Sequence, residues 1–176
     1  MANRQALREL QTRLAQRLQA ARSHDTQGAS WLAVQVGGAN YLLPLEQAGE
    51  IFTWAGTLRI PYAKPWFWGV CNLRGSLMGV VDVCAYLGHA VERSEQSLNE
   101  ISLLSINPAL QVNVAIVVDR LLGLRSLDAL NLMPMNTQHT EDGVFGESYT
   151  DSTKSIWKVL NLQYLVQQPD FLNVRV

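Results

Sequence analysis

Two hydrophobic rhythms divide the chain. Residues 3–22 contain neither Gly nor Pro, and Leu7, Leu10, Leu14, Leu18 and Ala21 recur three or four positions apart. That spacing lays one apolar stripe along a helix and predicts an amphipathic helix over residues 1–24. From Trp31 the rhythm becomes two. Leu32, Val34 and Val36 alternate with Trp31, Ala33 and Gln35, as in a half-buried strand. The polar, Gly-containing residues 25–30 between the two patterns read as a linker, and residues 31–176 as the domain proper.

The rest of the domain continues in short apolar runs. Gly37 to Asn40 reads as a turn and Tyr41 to Leu45 as a strand, with Pro44 placing that strand at a sheet edge or a bulge. Glu46 to Glu50 is a polar break, Ile51-Phe52 resumes the sheet, and Leu58 to Ile60 is a further short strand. Gly69 to Asp82 reads as a hairpin whose polar tip, Asn72 to Ser76, carries one charge, Arg74. Asp82 is placed to cap a short helix, Val83 to Leu87, closed by Gly88. Residues 89–100 read as a polar, charged loop. Strands are predicted at Ile101 to Ile106, at Val112 to Val118 ending at Asp119, and once within Leu121 to Leu132. Residues 136–154 read as a long polar loop. Ile156 to Leu160 is a last strand, and Asn161 caps a helix from Leu162 to Val166. Many short strands with only short helices between them predict a mainly β fold, barrel or sandwich. Without a long crossover helix, a doubly wound α/β sheet is excluded.

Composition narrows the function classes. Hydrophobic residues make up 48% of the 176 and charged residues 16%, enough apolar material for a sizeable core. A net charge of −1 argues against a general nucleic-acid binder, which needs a basic surface. No apolar run approaches the roughly 20 residues that span a bilayer, and the N-terminus has no secretory h-region, so a cytoplasmic protein is expected. The first helix stands apart from the average. It carries Arg4, Arg8, Arg13, Arg17 and Arg22 against Glu9 and so leaves the remainder acidic. A solvated helix packed on its own domain and a helix that docks on a partner both fit that pattern.

Catalytic chemistry finds little support. Cys71 and Cys84 form neither a disulfide framework nor a metal motif, and His24, His89 and His139 all fall in predicted loops. Asp82 and Asp119 each follow an apolar strand and are the candidate carboxylate pair, yet a helix cap and a strand end account for them separately. A small β-barrel enzyme using Cys71 or the pair Asp82 and Asp119 is the alternative of a different class. Phosphate-loop, dinucleotide and HExxH motifs are absent. Binding fits better. Residues 64–69 set Trp66, Phe67 and Trp68 in succession, and strand alternation cannot bury all three on one face.

Three blocks together resemble the CheW-like coupling proteins of bacterial chemosensory systems. They are Tyr41 to Ile51 (YLLPLEQAGEI), Gly69 to Gly75 (GVCNLRG) continuing through Val81-Asp82 to Gly88, and Val114 to Asp119 (VAIVVD). The resemblance spans about residues 31–166. It implies two intertwined five-stranded SH3-like β-barrels, no catalysis, no cofactor and no metal. The implied partners are the regulatory domain of a CheA-type histidine kinase and the cytoplasmic tip of a methyl-accepting chemoreceptor. Matched residue by residue, Glu50 and Arg74 correspond to the family's Glu and Arg and are expected to pair. Ala48, Ile51, Leu73, Gly75 and Val118 complete the receptor-binding set that the resemblance implies, while kinase-binding residues are not indicated. Val83-Cys84 departs from the family's usual Leu and charged residue, Met78-Gly79 replaces its Val-Pro, and Tyr149 to Ser155 matches its glycine-containing segment poorly. With the long basic helix, these departures resemble the pilus-associated, PilI-like branch that serves twitching motility, with a PilJ-like receptor and a ChpA-like kinase, more than the flagellar branch.

Overall fold

Some strands in this protein are buried on both faces, and that explains their sequence. The computed structural model describes residues 11–14, 16, 31–89, 91–134 and 143–176. A six-stranded sheet contains β1 (Trp31–Val36), β2 (Ala39–Pro44), β8 (Arg120–Arg125), β9 (Asn131–Leu132), β10 (Phe145–Thr150) and β11 (Ile156–Leu160), in the order β8-β1-β2-β11-β10-β9. A five-stranded sheet contains β3 (Ala48–Thr53), β4 (Phe67–Leu73), β5 (Ser76–Val81), β6 (Ser102–Ile106) and β7 (Val114–Val118), in the order β3-β6-β7-β5-β4. Short helices α1 (Val83–Tyr86), α2 (Glu95–Leu98), α3 (Leu162–Val166) and α4 (Pro169–Leu172) fill the connections.

Alternate side chains feed different cores. On β7, Ile116 and Val118 join a cluster shared with Leu32, Val34 and Leu43 of the other sheet, while Ala115 and Val117 join Val80, Ile101 and Leu103 on the opposite face. On β1 and β2, Ala33 and Leu42 turn away from the shared core toward Tyr149, Trp157 and Val159. Each sheet thus has a core of its own, and a third core lies between them. A strand covered on both sides reads as a continuous apolar run, as VAIVV at β7 does.

The five-stranded sheet curls. Its end strands are β3 and β4, yet the chain beyond β3 returns to β4. There Leu58 and Val70 exchange two backbone hydrogen bonds of 2.8 and 2.9 Å, and Thr57 donates to the Trp68 carbonyl. Trp54 packs edge-on against Trp68 at 5.4 Å. The mainly β, two-part architecture is therefore as expected, but in place of two five-stranded barrels there are two sheets, of six and five strands, that are not closed barrels.

Several local expectations need correction. Pro44 does not mark a sheet edge, because β2 lies between β1 and β11. It stands beyond Leu42, the last residue paired with β11, where a missing N–H costs no ladder bond on that side. Glu50 belongs to β3, not to a break before it; a register shift between Ala48 and Ile51 obscures the period. Leu58 to Ile60 makes one bridge instead of a strand. The charged loop after α1 contains α2, capped by Ser94. The span Leu121 to Leu132 holds two strands separated by a 3-10 turn at Leu127–Ala129. The polar stretch 136–154 contains β10, whose polar residues face outward and whose Tyr149 is buried; residues 135–142 lie outside the described residues. Asp82 and Asn161 cap their helices as expected, accepting from the amides of Ala85 and Tyr164. Residues 11–14 and 16 are helical, and the remainder of the expected 1–24 helix and the 25–30 linker lie outside the described residues.

Candidate functional site

The β4–β5 hairpin turns on two residues, Arg74 and Gly75, between the paired Leu73 and Ser76. Both have positive φ, 51° and 86°, the geometry of the primed turns that match strand twist. Gly75 adopts it freely, and its amide donates to Asn72 Oδ1 at 2.8 Å, which closes the tip. Arg74 adopts it at a cost, because an L side chain in the left-handed region crowds its own backbone. Asn at this position would suit the turn better.

Arg74 is held from the far side of the sheet. Its guanidinium pairs with Glu50 at 2.6 Å and lies 5.8 Å from the centre of the Phe52 ring, so it spans from β4 to β3. Glu50 is itself fixed through its backbone. Its amide donates to Ser105 Oγ at 2.7 Å, and the same hydroxyl donates back to the Glu50 carbonyl. This exchange needs Gly49, since a Cβ there would lie 2.1 Å from Ser105 Oγ and 2.4 Å from the Ser105 carbonyl oxygen. The pair stays in water, with the Arg74 side chain 71% and the Glu50 side chain 46% exposed. In that setting it contributes about 0–1 kcal/mol and serves to orient the arginine.

The other expected receptor-binding residues divide. Ile51 and Leu73 are half-buried beside the pair, and Gly75 is exposed at the tip. Ala48 and Val118, expected to line an apolar groove, are completely buried in the shared core and present no surface in this conformation. Core and groove residues carry the same apolar signature in a sequence, and only packing separates them.

A second charged cluster lies at the joint between the sheets. Arg93, from the loop after α1, bonds Asp82 with one terminal nitrogen and Asp119 with Nε at 2.6 Å. Its side chain is 6% exposed and that of Asp82 4%. Asp119 also accepts from the Gly37 amide at 2.5 Å, and its own amide donates to the Gln35 carbonyl, so one residue ties β7 to the β1–β2 turn. Burial works to lower the Arg93 guanidinium, but hydrogen bonds to Asp119 and Asp82 outweigh it and hold the group above its ordinary range. The guanidinium also lies 5.4 Å from the Trp68 ring centre. Two carboxylates placed as an acid–base pair in a sequence are here a cap and a clasp joined by one arginine. Arg93 escaped sequence reading because it stands in a polar stretch. The available signal was two aspartates ending apolar strands with no cation of their own.

The remaining candidates have structural surroundings. Trp66 stacks on Phe171 at 5.9 Å and meets Tyr86 edge-on, while Trp68 turns to Trp54 on the other face, as alternation requires. Burial lifts the Cys71 thiol. Burial, then the Asp82 charge, pushes Cys84 up to about 11 against the pull of Arg93. Neither is the lowered thiol that nucleophilic chemistry uses. His89 is exposed, and His24 and His139 lie outside the described residues. Among the described residues, no group of three His, Cys, Asp or Glu side chains is arranged to hold a metal ion, and no helix is long and apolar enough to cross a membrane.

The turn before β11 is closed by its own polar groups. Lys154 takes the left-handed position at φ 63°, and the Asp151 carboxylate accepts from the amides of Thr153 and Ser155 and from the Trp157 indole.

Comparison with known proteins agrees with this architecture. Residues 30–170 match the CheW-like domain. The chain is 27% identical over 162 residues to protein PilI of Pseudomonas aeruginosa, an alignment covering 89% of this chain and 85% of PilI. The scaffolding protein TtCheW from Thermoanaerobacter tengcongensis shares the fold, with a TM-score of 0.64 at 16% identity over 81% of this chain and 95% of TtCheW. With the motif order, the two-sheet fold and the domain-wide match in agreement, this chain belongs to the CheW-like domain family.

Proposed function

We propose that this protein is a non-catalytic adaptor that couples a chemoreceptor to a CheA-type histidine kinase, and that the hairpin tip is its receptor contact. The carrying observation is the presentation of Arg74. A long cation occupies a turn position that disfavours it, remains 71% exposed, and is aimed by Glu50 from the opposite end of the sheet. A residue kept against local preference, with its position fixed by neighbours, fits a recognition role. Glu50, Ile51, Leu73, Arg74 and Gly75 form the contact surface, with Ala48 and Val118 supporting it from the shared core. The protein acts in the cytoplasm at membrane-associated receptor arrays and transmits signal by contact.

Similarity to PilI over most of both chains supports assignment to the chemosensory system of type IV pilus twitching motility. Titration calorimetry with two fragments from the same genome tests the coupling role. The receptor's cytoplasmic hairpin and the kinase's regulatory domain should each bind the wild type. Arg74→Ala should weaken the receptor arm about tenfold or more, equivalent to about 1.4 kcal/mol, and leave the kinase arm unchanged. Binding of neither fragment to the folded protein would overturn the proposal. Loss of twitching with intact swimming in a deletion strain would support the pilus branch, and the reverse would favour the flagellar one.

A further inference from the structure

A bulge in β3 decides where the Glu50 carboxylate points. Ala48 and Ile51 both pack in the core between the sheets although they are three positions apart, and Phe52 packs on the other face. Their partners on β6, Ile106 and Leu104, are only two positions apart, so Gly49 and Glu50 together face Ser105. Counted from Ala48, regular alternation would turn Glu50 into that apolar core. The extra residue turns it instead to the side of Phe52, where the Arg74 guanidinium lies. The Ser105 hydroxyl bonds both backbone groups of Glu50, accepting from its amide at 2.7 Å and donating to its carbonyl at 3.2 Å. Ser105 is itself buried and offers a partner almost no surface.

We infer that Ser105 is a positioning residue for receptor recognition: its hydroxyl holds the bulge that aims the Glu50 carboxylate and, through it, the Arg74 guanidinium. The inference rests on the receptor-binding reading above. A serine that merely filled the sheet would affect stability alone. A serine that aims Arg74 affects receptor binding, and only while Arg74 is present. The strand before the bulge is held independently, because the Asn107 amide donates to the Gln47 carbonyl and the Asn107 side chain to the Glu46 carbonyl. Loss of the hydroxyl therefore loosens the bulge without releasing β3.

The test is a double-mutant cycle in the full-length chain. Ser105→Ala removes the hydroxyl, and Ser105→Cys, the second variant, fills the same space with a poor hydrogen-bonding group. In calorimetry either should weaken binding of the receptor's cytoplasmic hairpin about three- to fivefold, less than removal of the guanidinium, because an aimed and an unaimed exposed arginine differ little. Binding of the kinase's regulatory domain should not change. On an Arg74→Ala background the same substitutions should alter receptor binding by less than about 1.5-fold, since no guanidinium is left to aim. The NMR signal of the Arg74 Nε–H reports the aim without any partner, and it should move toward the signals of unpaired arginines in both Ser105 variants. Equal losses in the two backgrounds, or wild-type receptor affinity with an unmoved Arg74 signal, would overturn the inference alone. Absence of receptor binding by the folded wild type would overturn the receptor reading and this inference with it.

Discussion

Arg74, in the turn that closes β4, and Glu50, on β3, meet at 2.6 Å although β4 and β3 are the two end strands of the same sheet. The contact exists because the sheet curls until its ends approach, and the Leu58–Val70 bridge is the backbone counterpart of that closure. One exposed ion pair adds little to stability, so its value lies in where it places a guanidinium.

The turn itself should prefer a different residue. Arg74→Asn replaces a strained side chain with one that favours the left-handed region, beside Gly75. The variant should be as stable as wild type or more so, by up to about 1 kcal/mol in denaturant melts, while losing receptor binding. Destabilisation would show that Arg74 is needed by the fold.

Arg93 is the opposite case. Removing it leaves Asp82 buried and Asp119 partly buried without their cation, so Arg93→Ala should cost about 3–5 kcal/mol. Arg93→Lys should recover only part of this, because an ammonium cannot reproduce the fork that reaches two carboxylates. Urea unfolding of the three proteins decides it, and a loss below about 1 kcal/mol for Arg93→Ala would mean the clasp is dispensable.

Cys84 should be chemically silent in the native protein. With its thiol pushed up to about 11 by burial and by Asp82, its thiolate is scarce at pH 8. Iodoacetamide should label Cys84 only after unfolding, with the half-buried Cys71 reacting first. Rapid native labelling of Cys84 would revive the enzymatic alternative.

Acid should loosen the turn before β11. Hydrogen bonds from Thr153 and then the Trp157 indole lower the Asp151 carboxyl to about 2. A carboxylate lowered on folding stabilises fully above its unfolded value of about 3.9, and the contribution disappears as pH falls through the folded value. Wild type and Asp151→Asn should therefore differ in thermal midpoint at pH 6 and converge as pH approaches 2. A difference independent of pH would remove the carboxylate from the account.

The extent to which the sequence disclosed all this follows from the range of each interaction. Asp82, Asn161 and the Arg74-Gly75 turn were legible because their partners lie within three or four residues. The three motif blocks carried the pairing of Glu50 with Arg74, which periodicity alone could not. Glu50 itself was misplaced as a break, because a bulge interrupts the period-two rhythm. β10 was missed because FGESYT presents polar residues outward and buries only Tyr149 fully. Arg93 was invisible, since its partners are 11 and 26 positions away in sequence. Val118 was legible as apolar, but its depth depends on a sheet contributed by other parts of the chain.

A charge reversal tests most directly whether Arg74 faces a partner or merely holds Glu50. Arg74→Glu and Glu50→Arg, made singly and together, should each fold, and the double variant restores the ion pair with its sign inverted. Binding to the receptor's cytoplasmic hairpin should be lost in Arg74→Glu and stay lost in the double variant, because the exposed tip still carries the wrong charge. Recovery of wild-type affinity in the double variant would contradict the account and reduce Arg74 to a structural partner of Glu50.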